Sequence, residues 1–91
     1  MIMIVEIKSK NPKVEEVLKK ITEHNNKDFI DAGFYTTYEK TKNGYKLKFI
    51  FTNKSAEFSM TSFLGRTLIT RSIKNKLKKI DKNIEVKCKK N

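Results

Sequence analysis

Nine of the last 21 residues are lysine or arginine, and three of them, Lys74, Lys78 and Lys82, recur at every fourth position. On a helix this spacing stacks like charges, which costs an isolated helix roughly 0.2–0.5 kcal/mol per pair. The helix dipole favours cations in a last turn, which accounts for Lys78 and Lys79 but not for a whole row. A row of cations suits a row of phosphates, where each contact releases condensed counterions. Arg66 and Arg71 are the only arginines among 19 lysines. Their planar guanidinium fork fits a phosphate or a guanine edge in a way a lysine does not. The candidate nucleic-acid-binding set is therefore Arg66, Thr67, Thr70, Arg71, Lys74, Asn75, Lys78, Lys79 and Lys82, with Lys87 and Lys89 adding charge.

Other reactive side chains are sparse. His24 is the only histidine and stands where a helix should end, a position suited to a cation. Cys88 is the only cysteine, so no intramolecular disulfide forms, which fits a reducing cytoplasm. It alternates with Ile84 and Val86 and reads as an inert core thiol. Glu15-Glu16 and Asp28 with Asp31 are the paired acids. The first pair faces solvent on an amphipathic helix, and the second fits a solvated loop better than an ion site. With three glycines there is no phosphate-cradling loop, and no ligand spacing suggests a metal. The expectation is a binding protein without cofactor or metal, not an enzyme.

The chain holds 21 basic and 10 acidic residues, a net charge of +11. Residues 1–41 carry seven of each and are neutral, so the excess lies entirely beyond them. A lysine-rich genome would spread lysine evenly. A one-sided positive field instead attracts polyanions, with DNA expected ahead of RNA. An acidic protein surface would meet the same charge and is the alternative partner. No segment pairs a lysine-rich helix face with a broad aromatic one, so a membrane is not expected. The longest apolar run, Met1 to Val5, is too short to span a bilayer, and without a leading basic region it reads as a strand.

The elements that would position these residues follow from periodicity. Ninety-one residues make a single domain, 1–91. Residues 1–8 end in strand-like alternation. Asn11-Pro12 opens a helix in which Val14, Val17, Leu18 and Ile21 form one stripe, ending at His24-Asn25-Asn26. Residues 29–32 link to a glycine turn at Gly33. Phe34 to Glu39 and Tyr45 to Thr52 read as a hairpin around Asn43-Gly44, a pair that favours positive φ at both positions. Tyr45, Leu47, Phe49 and Phe51 point inward, with Lys46, Lys48 and Ile50 outward. Residues 55–80 are helical, with Ile69, Ile73, Leu77 and Ile80 in one sector, Phe58 near it, and a kink or break at Gly65. Ile84, Val86 and Cys88 mark a last strand.

The order β-α-β-β-α-β implies a ferredoxin-like α+β sandwich: a four-stranded antiparallel sheet with both helices on one face. Glu6, Glu39 and Glu85 would lie among Lys46, Lys48, Lys87 and Lys89 on the open face, which favours cross-strand pairing. The aromatic platform of RNA-binding domains with this topology is missing there, although Tyr35 or Tyr38 offers a single stacking surface. A helix-turn-helix variant around Gly65 is the alternative, with Thr67, Thr70, Arg71 and Lys74 on its recognition helix. Leu64 and Leu68 fall off the main stripe and suggest a dimer patch, which would double the positive surface.

Overall fold

The computed structural model describes residues 2–28 and 33–90. Strand β1 (Ile2–Lys8) is followed by helix α1 (Lys13–Asp28), then strands β2 (Phe34–Thr41) and β3 (Gly44–Phe51). Helices α2 (Lys54–Thr61) and α3 (Phe63–Lys78) precede strand β4 (Glu85–Lys90). The strands form one sheet in the order β2-β3-β1-β4, with every neighbouring pair antiparallel. This is the ferredoxin-like arrangement, with the second helix divided in two.

One face of the sheet makes the core. Met3, Val5 and Ile7 of β1 stand opposite Phe49, Leu47 and Tyr45 of β3, and all six are buried. Val14 and Leu18 of α1 and Ile73 and Leu77 of α3 close over them, with Ile84 at the entrance to β4. The inward alternation expected for β3 and the helical stripes expected for α1 and α3 meet in this one layer.

Local chemistry sets most of the boundaries. Asn11 Oδ1 accepts the Lys13 N–H at 3.0 Å and opens α1. Ser9 is buried beneath that start, and its hydroxyl donates to Asp81 Oδ2 at 2.7 Å. Asn11 Nδ2 also donates to the Ile80 carbonyl at 3.3 Å, so the start of α1 is tied to the α3–β4 turn. Helix α1 does not stop at His24 but runs on through Asp28. There Asn26 leaves helix-breaking behaviour aside and uses its side-chain amide on the backbone of β2. Its Nδ2 donates to the Thr36 carbonyl at 2.9 Å, and its Oδ1 accepts the Thr36 N–H at 2.8 Å. The expected linker at 29–32, and Asp31 with it, lies outside the described residues.

Two turns differ from expectation. Lys42-Asn43 forms the centre of the β2–β3 hairpin, and Gly44 already belongs to β3 opposite Thr41 and Lys8. Asn43 has negative φ, as does every described non-glycine residue. The glycine is needed for a close approach: a Cβ at Gly44 would collide with the Ile7 carbonyl. The second difference is the helix break, which falls at Ser62 and not at Gly65. Ser62 ends α2 and caps α3, its Oγ donating to the Ser59 carbonyl at 2.8 Å and accepting the Gly65 N–H at 3.1 Å. Gly65 lies in the first turn of α3, where a Cβ would strike the carbonyls of Ser59 and Met60. It allows α3 to pass against the end of α2, and so does not form the turn of a helix-turn-helix. The break also removes Phe58 from the apolar sector, because a helical projection cannot be carried across a change of axis. Phe58 is 81% exposed.

Candidate nucleic-acid interface

Helix α3 has three longitudinal zones. Ile73 and Leu77 face the core, while Arg71, Asn75 and Lys78 are exposed on the far side. Between them Arg66, Thr67, Thr70 and Lys74 are half-buried. The flank with Arg66, Thr67 and Thr70 borders β4, the edge strand that pairs only with β1. A shallow groove of about 540 Å³ runs between them, lined by Phe63, Arg66, Thr67 and Thr70 of α3 and by Val86 to Lys89 of β4. Residues expected to act together but separated by about twenty positions therefore share one groove.

Arg66 is the least satisfied group in it. Its Nε is shut off from solvent and has no hydrogen-bond partner, and an unanswered buried donor costs about 1–3 kcal/mol. No carboxylate lines the groove. The neighbouring Thr70 side chain and the Arg66 charge both favour the Cys88 thiolate. Burial outweighs them and pushes the thiol above its ordinary value. Cys88 is thus only half-buried, at the sheet edge and not deep in the core, yet it remains a thiol at neutral pH.

Arg71, Asn75 and Lys78 continue outward from the groove as an exposed ridge, and exposed Lys79 and Lys82 extend it into the turn before β4. The ion pairs among the described residues lie elsewhere. Lys48 Nζ is 3.3 Å from Glu39, Lys89 Nζ is 3.3 Å from Glu6, and Lys8 Nζ is 3.7 Å from Glu85. All three belong to the open sheet face, where Lys–Glu pairing is therefore present. Lys89 lines the groove, but its ammonium is turned to Glu6 on the open face, so its charge is partly spent there. The set consequently divides in two. Arg66, Thr67 and Thr70 belong to the groove, which Lys87 and Lys89 border along β4 while alternating with Cys88 toward the open face; Arg71, Asn75, Lys78, Lys79 and Lys82 belong to the ridge, with Lys74 on the flank between them.

Sequence reasoning missed Phe63, which is 79% exposed at the mouth of the groove. Its position at the first turn of a new helix, once Ser62 is recognised as a cap, is the signal that could have found it. Tyr38 packs against the core, whereas Tyr35 stands exposed on the open face. Among the described residues no helix is long and apolar enough to cross a membrane, and no three His, Cys, Asp or Glu side chains gather as a metal site. Comparison with family models, curated proteins and solved structures finds no match to this chain.

Proposed function

We propose that this chain is a small cytoplasmic nucleic-acid-binding protein, without catalytic activity, that contacts phosphates along α3 and the 79–82 turn. The reading rests above all on the continuity of unpaired cations from the groove (Arg66) across the ridge (Arg71, Lys78, Lys79, Lys82). None of these takes part in the ion pairs found among the described residues. Leaving so many like charges adjacent opposes folding, and a polyanion reverses that penalty. Duplex DNA is the favoured ligand, since its major groove admits a helix and α3 carries Arg71, Asn75 and Lys78 on its outermost line.

The test is a fluorescence-anisotropy titration against duplex DNA, single-stranded DNA and structured RNA at several salt concentrations. Neutralising about six phosphates gives a slope near −5 of log affinity against log salt. Replacing Lys74→Glu and Lys78→Glu together should abolish duplex binding while the domain stays folded. Retained binding by that variant overturns the proposed surface. Absence of binding to all three nucleic acids at low salt overturns the function and leaves an acidic protein surface as the partner class.

A further inference from the structure

Phe63, Arg66, Thr67 and Thr70 stand at i, i+3, i+4 and i+7 of α3, so they form one stripe, and that stripe is the helical wall of the groove along β4. Val86 and Cys88 pack against the core and give the groove an apolar floor. Phe63 is 79% exposed at the mouth. Tyr35 and Phe58 are the other exposed aromatic side chains among the described residues, and neither borders this groove. Given a nucleic acid along the ridge, the reading on which this step rests, we infer that the groove holds one unpaired nucleotide. Its base lies against the Phe63 ring and its phosphate on the Arg66 guanidinium, so the chain binds a duplex with a single-stranded overhang in preference to a blunt one.

The Arg66 Nε–H has no partner, and no carboxylate lines the groove. Turned toward the groove, the guanidinium gains from a phosphate oxygen the acceptor that no neighbouring side chain offers, in a charge-assisted bond stronger than a neutral one. Arg66 also lies in the first turn of α3, where the positive end of the helix dipole adds to its charge. The Phe63 ring adds what phosphate contacts lack. Every base has a π face, and stacking it on an aromatic side chain stabilises binding largely regardless of sequence. Within a duplex both faces of a base are covered by its neighbours, so the ring takes a base that has left the stack. An acidic peptide would satisfy Arg66 but offers the ring no planar partner of that kind. The ridge of Arg71, Asn75 and Lys78 follows on the same helix and carries no aromatic. A backbone followed from the ridge to the first turn of α3 therefore passes from a surface suited to phosphates alone to one suited to a phosphate and a base.

Fluorescence anisotropy of the full chain with three duplexes of one sequence tests the inference: blunt, with a short single-stranded overhang, and with the same overhang made abasic. The abasic strand keeps the phosphates and lacks the bases, so it separates stacking from added charge. The intact overhang should bind at least about fivefold more tightly than the abasic one, the lower end of what stacking one base supplies. That gap should persist as salt rises, since stacking releases no counterions. Phe63→Ala should close the gap and Phe63→Tyr should keep it. A side chain this exposed can be changed without loss of the fold, which a thermal melt verifies. Cys88 lines the groove, so its alkylation at mildly alkaline pH should be slowed by the intact overhang and not by the blunt duplex. Equal affinity for intact and abasic overhangs, or a gap that survives Phe63→Ala, overturns the inference while the proposed function stands. So does a Phe63→Ala variant that weakens blunt and overhang duplexes alike, which would make the ring a wedge between stacked bases. Protection of Cys88 by polyglutamate and by no overhang would assign the groove to an acidic peptide instead. Absence of binding to every duplex removes both readings together.

Discussion

Replacing Asn26→Ala tests how β2 is held at the margin of the sheet. Thr36 is fully buried, and its backbone N–H and carbonyl both bond the Asn26 side chain, at 2.8 and 2.9 Å. Alanine keeps the helix but leaves two buried backbone groups without partners, each costing about 1–3 kcal/mol. Water reaching an edge strand offsets part of that, so the expected loss is about 2–4 kcal/mol. A chain of this size is stable by about 5–13 kcal/mol, so the loss is a substantial share of the total. In a thermal melt it should appear as a fall of at least about 8 °C. Asn26→Asp should cost as much, since a carboxylate cannot donate to the Thr36 carbonyl. Thr36→Val removes only a long 3.4 Å hydroxyl contact and should cost less than about 1 kcal/mol. Urea denaturation with constant slope m gives the differences. A loss below about 0.5 kcal/mol for Asn26→Ala would refute the view that this amide supplies the missing edge partner.

Gly65→Ala tests the α2–α3 corner. Alanine favours a helix interior by about 1 kcal/mol over glycine. Here, however, its methyl meets backbone carbonyls that cannot swing aside, so a net loss of about 1–2 kcal/mol is expected in the same denaturation assay. A stabilised variant would show that the two helices do not close on this glycine. Cys88 should alkylate slowly at neutral pH in the folded chain and rapidly in denaturant, and equal rates would contradict its burial. Because its folded pKa is raised above the ordinary 9.0, the unfolded chain loses this proton first. The contribution to stability is therefore present below that value and declines as pH rises past it. Cys88→Ser should lessen this alkaline decline.

The sequence alone determined the strand and helix order, the inward residues of β3 and the core stripes of α1 and α3. Each is a local periodicity that burial on one face enforces wherever the element packs. It also determined that the excess charge belongs to the second half, and that Arg66 to Lys82 carry most of it. Tertiary structure decided where helix 55–80 divides, because Ser62 can bond as either a cap or a bystander and only packing at Gly65 selects the cap. That division exposed Phe58 and Phe63, which a continuous helix would have assigned to the core or left unremarked. Tertiary structure likewise set Arg66, Thr67 and Thr70 beside Lys87, and turned Lys89 toward Glu6. It also gave Asn26 a backbone partner ten residues away. These contacts depend on the β2-β3-β1-β4 order of the sheet and on how the helices lie across it, which no spacing along the chain encodes.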